Sequence, residues 1–264
     1  MKFGQIVVGA IVVVLVAGLA AYFLLGRPTP PPPAAPAVVE TPVEAPAPAP
    51  APTYKAAIAG AVPGEWTMDF DAAKALAAES GLPLLLNFTG SDWCGWCRLM
   101  DKQVFSQEAW KTYAKEHLIL VWIDFPQDKS LVPEAFAERN QRMLQEFAID
   151  GFPTFILLDP DGQTRLGQTG ATRDVNPERF IAALEDILRS SDKAIAALKE
   201  KLTDEQKTAL DEAKAALDLA NQKLADWIAT NPQPSEENNA AYESMLDEIG
   251  RAKASFMDLL KSAP

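Results

Sequence analysis

The residue types that build most metal and redox sites are scarce in this 264-residue chain, which has two cysteines and one histidine, His117. A structural zinc needs four ligands, and without a second cysteine pair that site is excluded. Attachment of a c-type haem needs histidine directly after the second cysteine, where Arg98 stands. His117 has no partner nearby in sequence and is given no chemistry. No cysteine lies near the N-terminus, which excludes a lipid-modified one. Basic residues are the minority, 24 against 36 acidic, for a net charge of −12. Both 54–190 and 191–264 carry an acidic excess, so nucleic acid is not expected as a partner.

Charge is missing altogether from Phe3 to Gly26, and Ile6 to Leu25 is almost wholly aliphatic. About 20 such residues match a bilayer core, whereas the core of a cleaved signal runs about 7–15. A convincing Ala-x-Ala cleavage site is absent; Gly18-Leu19-Ala20 is a weak match. Residues 1–27 are therefore expected to be a transmembrane anchor rather than a cleaved signal, with the membrane engaged through residues 6–25. Lys2 and the α-amine on one side, against Arg27 on the other, give a slight bias toward a cytoplasmic N-terminus. Residues 28–53 are mostly proline and alanine, with only Glu40 and Glu44 charged. Such a stretch cannot bury a core and acts as a stiff linker, ~80 Å long if fully extended. It suits a head held away from the membrane on the periplasmic or other extracytoplasmic side.

The two cysteines sit together in Trp93-Cys94-Gly95-Trp96-Cys97, after a hydrophobic run and before a segment able to form a helix. A helix N-terminus aims unpaired N–H groups and positive dipole at Cys94, favouring its thiolate. The second sulfur, one turn on, can attack a mixed disulfide and release the partner. As a structural disulfide the pair would close too small a loop to stabilise much. The arrangement points to thiol–disulfide exchange that needs neither metal nor cofactor.

Residues 54–190 have the length of one domain and read as alternating elements. Asp69 caps a helix to about Ala78, and Leu84 to Phe88 is a buried strand. A helix runs from Cys94 to about Lys102, and another from Ser106 to near His117. Leu118 to Phe125 is a strand, Val132 to Phe147 a helix, and Thr154 to Leu158 a strand. Asp159-Pro160-Asp161-Gly162 turns the chain into a hairpin strand from Thr164 to Gln168. Asn176-Pro177 opens a helix to Arg189, with its continuation toward Leu202 left open.

This order, with Cys-x-x-Cys after the first core strand and Gly151-Phe152-Pro153-Thr154 opening the third, resembles the thioredoxin fold, a three-layer α/β/α architecture. Ser91-Asp92-Trp93-Cys94 and Val121-Trp122-Ile123-Asp124-Phe125-Pro126 look most like exported bacterial members. The resemblance implies that Cys94 is the exposed nucleophile and Cys97 the recessed resolving thiol. Trp93, Gly95 and Trp96 would meet substrate, although plain packing also accounts for the two tryptophans. Phe152, Pro153 and Thr154 would form a cis-proline loop offering backbone groups to an extended substrate strand. One departure stands out. The family's buried acid before the cysteines is replaced by Asn87, which cannot titrate, leaving Asp92 and Asp101 as candidates for a proton relay. The family's kink proline is also missing after Cys97.

From Asp192 onward the chain is alanine-rich, charged and nearly free of glycine. Thr203-Asp204-Glu205-Gln206 is a capping box. Leu210, Ala213, Leu217, Ala220, Leu224 and Trp227 alternate at spacings of three and four, as do Tyr242, Met245, Ile249, Ala252, Phe256 and Leu259. Residues 191–264 are thus expected to add an antiparallel α-helical hairpin with a coiled-coil-like seam. The leading functional expectation is a thiol–disulfide oxidoreductase, in the reductive direction, with protein disulfides as substrates and an unidentified electron donor. The alternative is a membrane-tethered scaffold or holdase using head and hairpin to bind a partner.

Overall fold

Short apolar runs flanked by turn residues become strands, and their alternation decides which side each residue covers. The computed structural model describes residues 56–263. Its strands are β1 (Trp66–Thr67), β2 (Leu84–Thr89), β3 (Ile119–Asp124), β4 (Thr154–Leu158) and β5 (Arg165–Gly170), in the order β1-β3-β2-β4-β5. β1 and β2 run parallel to β3, β4 is antiparallel to β2, and β5 is antiparallel to β4. Every residue of β2 and β3 is buried. That follows from a central position with helices on both faces.

On one face Leu84, Leu86, Phe88, Ile119, Val121 and Ile123 pack with Ala73 and Ala77 of α1 (Phe70–Ser80). Met143 of α4 (Glu134–Glu146) joins them. On the other face Leu85, Leu120, Trp122, Phe155 and Leu157 meet α2 (Gly95–Met100), α3 (Glu108–His117) and α5 (Pro177–Arg189), through Met100, Trp110, Phe180 and Leu184. The result is a thioredoxin-like α/β fold in three layers. Caps fix its helix starts: the Asp69 carboxylate accepts from Ala72 N–H at 3.0 Å, and the Asn176 side chain accepts from Arg179 N–H at 2.9 Å. Gly81 ends α1 at φ 73°, where a side chain would be strained.

Three local features differ from the sequence expectation. The helix after the cysteines is not α-helical to Lys102: it turns at Asp101–Phe105 into a π-helical turn, closed by Ser106 N–H donating to Asp101 O at 2.9 Å. The wider turn lets Val104 and Phe105, adjacent in sequence, both reach the core. The helix from Pro177 does not continue to Leu202, because Ser191 leaves it to cap α6 (Asp192–Lys199), accepting from Ala194 N–H. Serine competes for backbone donors in this way and favours a break. Finally, β1 is an edge strand of two residues, too short to leave a periodic pattern.

The C-terminal region is helical. α7 (Asp204–Ala229) begins at a complete Thr203–Gln206 capping box, and α8 (Glu236–Ser262) begins at Ser235. They run antiparallel, with Lys223 paired to Glu248 at 2.6 Å and Trp227 stacked on Tyr242 at 6.1 Å. Their base packs through Leu202, Leu210, Phe256, Met257 and Leu260. It docks on α5, where Lys261 meets Asp186 at 2.9 Å. No helix among the described residues is long and apolar enough to cross a membrane. The expected anchor over residues 6–25 and the linker over 28–53 lie outside the described residues.

Candidate active site

The site forms where β2 ends and the chain must turn to start α2. Cys94 is the N-cap residue of α2, and its Sγ accepts from Cys97 N–H at 3.1 Å. The two cysteines are joined as a disulfide with Cα atoms 5.2 Å apart. Cys94 is the more accessible, but only slightly, at 6% exposure against 2% for Cys97. The tryptophans beside them are far more exposed, Trp93 at 40% and Trp96 at 45%. Gly95 is exposed and opens α2.

The preceding loop is held tightly. Cys94 N–H donates to Gly90 O at 2.8 Å. A Cβ on Gly90 would stand 2.4 Å from the Trp93 ring, so only glycine lets the indole lie back over the turn. There Trp93 Nε1–H donates to Phe125 O at 2.8 Å, and the ring meets Phe152 edge-on at 5.6 Å. The Phe152–Pro153 peptide is cis, and Thr154 Oγ1–H donates to Gly151 O at 2.8 Å. Cysteine loop and proline loop, far apart in sequence, thus meet through Trp93 and Phe152.

The two acids singled out in sequence occupy different settings. The Asp92 carboxylate accepts from the N–H groups of Gln127 and Asp128 at 2.9 and 2.8 Å, stapling the loop after β3 to the cysteine loop. Asp101 is buried at the start of the π-helical turn. Asn87 is buried on β2, and its Oδ1 has no hydrogen-bond partner among the described residues. His117 is exposed at the end of α3 with its ring against Tyr113 at 4.5 Å.

A third acid lies far from the cysteines in sequence and close to their loop in space. Asp124 ends β3, is 4% exposed, and accepts from Ser91 N–H at 2.9 Å and from Ser91 Oγ–H at 2.6 Å. In the β2–β3 register Asn87 lies opposite Trp122 and Thr89 opposite Asp124. Alternation therefore puts Asn87, Trp122 and Asp124 on the face that α2 covers. Burial pushes the Asp124 carboxyl above its ordinary 3.8, against the pull of bonds from Ser91 and Trp122. The folded state thus binds this proton more tightly than the unfolded chain. Its contribution makes stability fall as pH rises from about 4 through the folded-state pKa. The sequence signal was an acid closing an otherwise apolar strand, and its partner lies 33 residues away.

Residues 70–188 match the family model of a thioredoxin-like domain. Residues 70–188 thus form a thioredoxin-like domain. Among curated proteins, the chain is similar to the disulfide bond reductase DsbH of Chlamydia pneumoniae, 40% identical over 81 residues, 31% of this chain and 48% of that protein. It is also similar to the thioredoxin-related protein DsbJ of the same organism, 28% identical over 107 residues, 40% of this chain and 30% of that one. The chain thus spans about half the length of DsbH and under a third of DsbJ. Among solved structures, a DsbH oxidoreductase aligns with a TM-score of 0.44 at 28% identity, over 52% of this chain and 92% of that one.

Proposed function

We propose that the chain is a thiol–disulfide oxidoreductase that reduces disulfides of exported proteins, tethered to the membrane through residues 6–25. Residues 54–190 act as the catalytic head, and 191–264 extend it. In the reduced form the Cys94 thiolate attacks a substrate disulfide. The substrate S–S bond breaks, a Cys94–substrate disulfide forms, and one substrate thiolate leaves. Cys97, as thiolate, then attacks Cys94 Sγ, re-forming the Cys94–Cys97 bond and releasing the second substrate thiolate. The protons lost by the two cysteines end on the two product thiols. Trp93, Gly95 and Trp96 present the entry surface, while Phe152, Pro153 and Thr154 align an extended substrate segment. An external dithiol donor restores the reduced pair.

The observation that carries this reading is the Cys97 N–H on Cys94 Sγ at a helix N-terminus, a bond that favours a thiolate there. The similarity to a disulfide bond reductase supports the reductive direction. Insulin reduction with a thiol donor tests it. The intact chain is expected to accelerate reduction, and Cys94→Ser to fall to the uncatalysed rate. An intact chain with no turnover would leave binding, through head and helices, as its role.

A further inference from the structure

We infer that Asp124 is a positioning residue for the dithiol, holding the cysteine loop through Ser91 and setting the acidity of the reduced thiols by its charge. The inference rests on the reading of Cys94 and Cys97 as an exchanging pair. Its first support is geometric. Ser91 is three residues before Cys94 and gives both its N–H and its hydroxyl to Asp124. The neighbouring clamps, Asp92 on Gln127 and Asp128 and Trp93 on Phe125 O, join the same two segments but use exposed or partly exposed groups. Asp124 is the buried member of the set.

The second support is placement. Asp124 shares its sheet face with Asn87 and with the inner side of α2, so a carboxylate stands one tight turn from Cys94 where Asn87 offers no proton. It also lines a cavity of about 450 Å³ with Phe125, Pro126, Lys129, Val132 and Glu134, which gives water a route to the buried acid. The charged groups on the surrounding elements have other partners. Lys129 donates to Pro126 O, Arg139 to Met68 O and Asn140, and Arg98 to Asp92 O. Asp128 accepts from Ser130, Asp101 lies in the π-helical turn, and Glu134 faces Asp124 across the cavity. None of the cations forms an ion pair with Asp124 among the described residues.

Asp124→Asn separates charge from shape. The amide oxygen still accepts from Ser91 N–H, and the amide nitrogen donates to Ser91 Oγ, so the loop keeps both bonds. The test is the pH profile of Cys94 alkylation by iodoacetamide in the reduced, full-length protein. Loss of a buried negative charge one turn from Cys94 is expected to lower the midpoint and raise the rate at neutral pH about three- to tenfold. Ser91→Ala, which keeps the charge, is expected not to accelerate it. In urea unfolding Asp124→Asn is expected to exceed wild-type stability at neutral pH, with the gap closing toward about pH 4. Identical midpoints for wild type and Asp124→Asn would overturn the inference, as would a shift seen in Asp101→Asn instead. Alkylation needs only a free thiol, so it reads this claim whatever the insulin assay returns.

Discussion

Cys97→Ala is expected to trap the protein on its substrate as a stable mixed disulfide through Cys94. Cys94 and Cys97 are one turn apart, with Cα atoms 5.2 Å from each other, so Cys97 would resolve a Cys94 mixed disulfide intramolecularly. Effective concentrations for such aligned groups far exceed any external thiol in solution. Removing the Cys97 sulfur leaves only that external route, and the lifetime of the mixed disulfide should lengthen by at least about a thousandfold. The measurement is non-reducing electrophoresis after exposure to a disulfide protein, with reductant restoring the free chain. Cys94→Ser/Cys97→Ala should form no adduct. Because Trp93 and Trp96 stand out from the surface beside a buried pair, the captured proteins are expected to have disulfides within flexible, partly apolar segments. Rapid turnover by Cys97→Ala would mean that another group resolves the intermediate.

Phe105→Ala is expected to lower unfolding free energy by about 3–5 kcal/mol. Phe105 is 3% exposed and its ring meets Trp66 and Trp110 at 5.2 Å, Phe155 at 5.6 Å and Phe180 at 5.7 Å. It therefore ties the π-helical turn to the edge strand, to two helices and to the sheet. Truncation leaves a cavity that rigid aromatic neighbours cannot fill, and the loss is a large fraction of a typical domain's 5–15 kcal/mol. Since the π-helical turn continues α2, loosening it should also blur the Cys94 N-cap and slow exchange. Urea unfolding followed by tryptophan fluorescence reads the first effect, and insulin reduction the second. A loss below about 1 kcal/mol would show that the aromatic cluster repacks without it.

What could be read from the residues was local. Asp69, Asn176 and Thr203 announce their helices within a few positions, and each caps as expected. The Cys-x-x-Cys turn and the Phe152-Pro153 pair are local too, and Trp93 meeting Phe152 is the contact that joins them. What escaped is set by distant partners. β1 exists because β3 offers it an edge, and the π-helical turn because Val104 and Phe105 both have core to fill. Nothing local decides whether the helix ending at Arg189 runs on toward Leu202, and Ser191 stops it by capping the next one. Asp124 was hidden for the same reason: its environment is built by Ser91 and by the helices over it, not by its neighbours in the chain. The candidate relays Asp92 and Asp101 lie close to the cysteines in sequence, whereas Asp124 reaches the loop through the sheet.

Exchange at this site requires a Cys94 thiol made acidic by the turn of N–H groups that begins α2. Titration of the reduced protein, followed by the ultraviolet absorbance of the thiolate and assigned with Cys97→Ala, measures this directly. The expected midpoint for Cys94 lies clearly below the roughly 8.5 of free cysteine. A midpoint at or above that value would contradict the account.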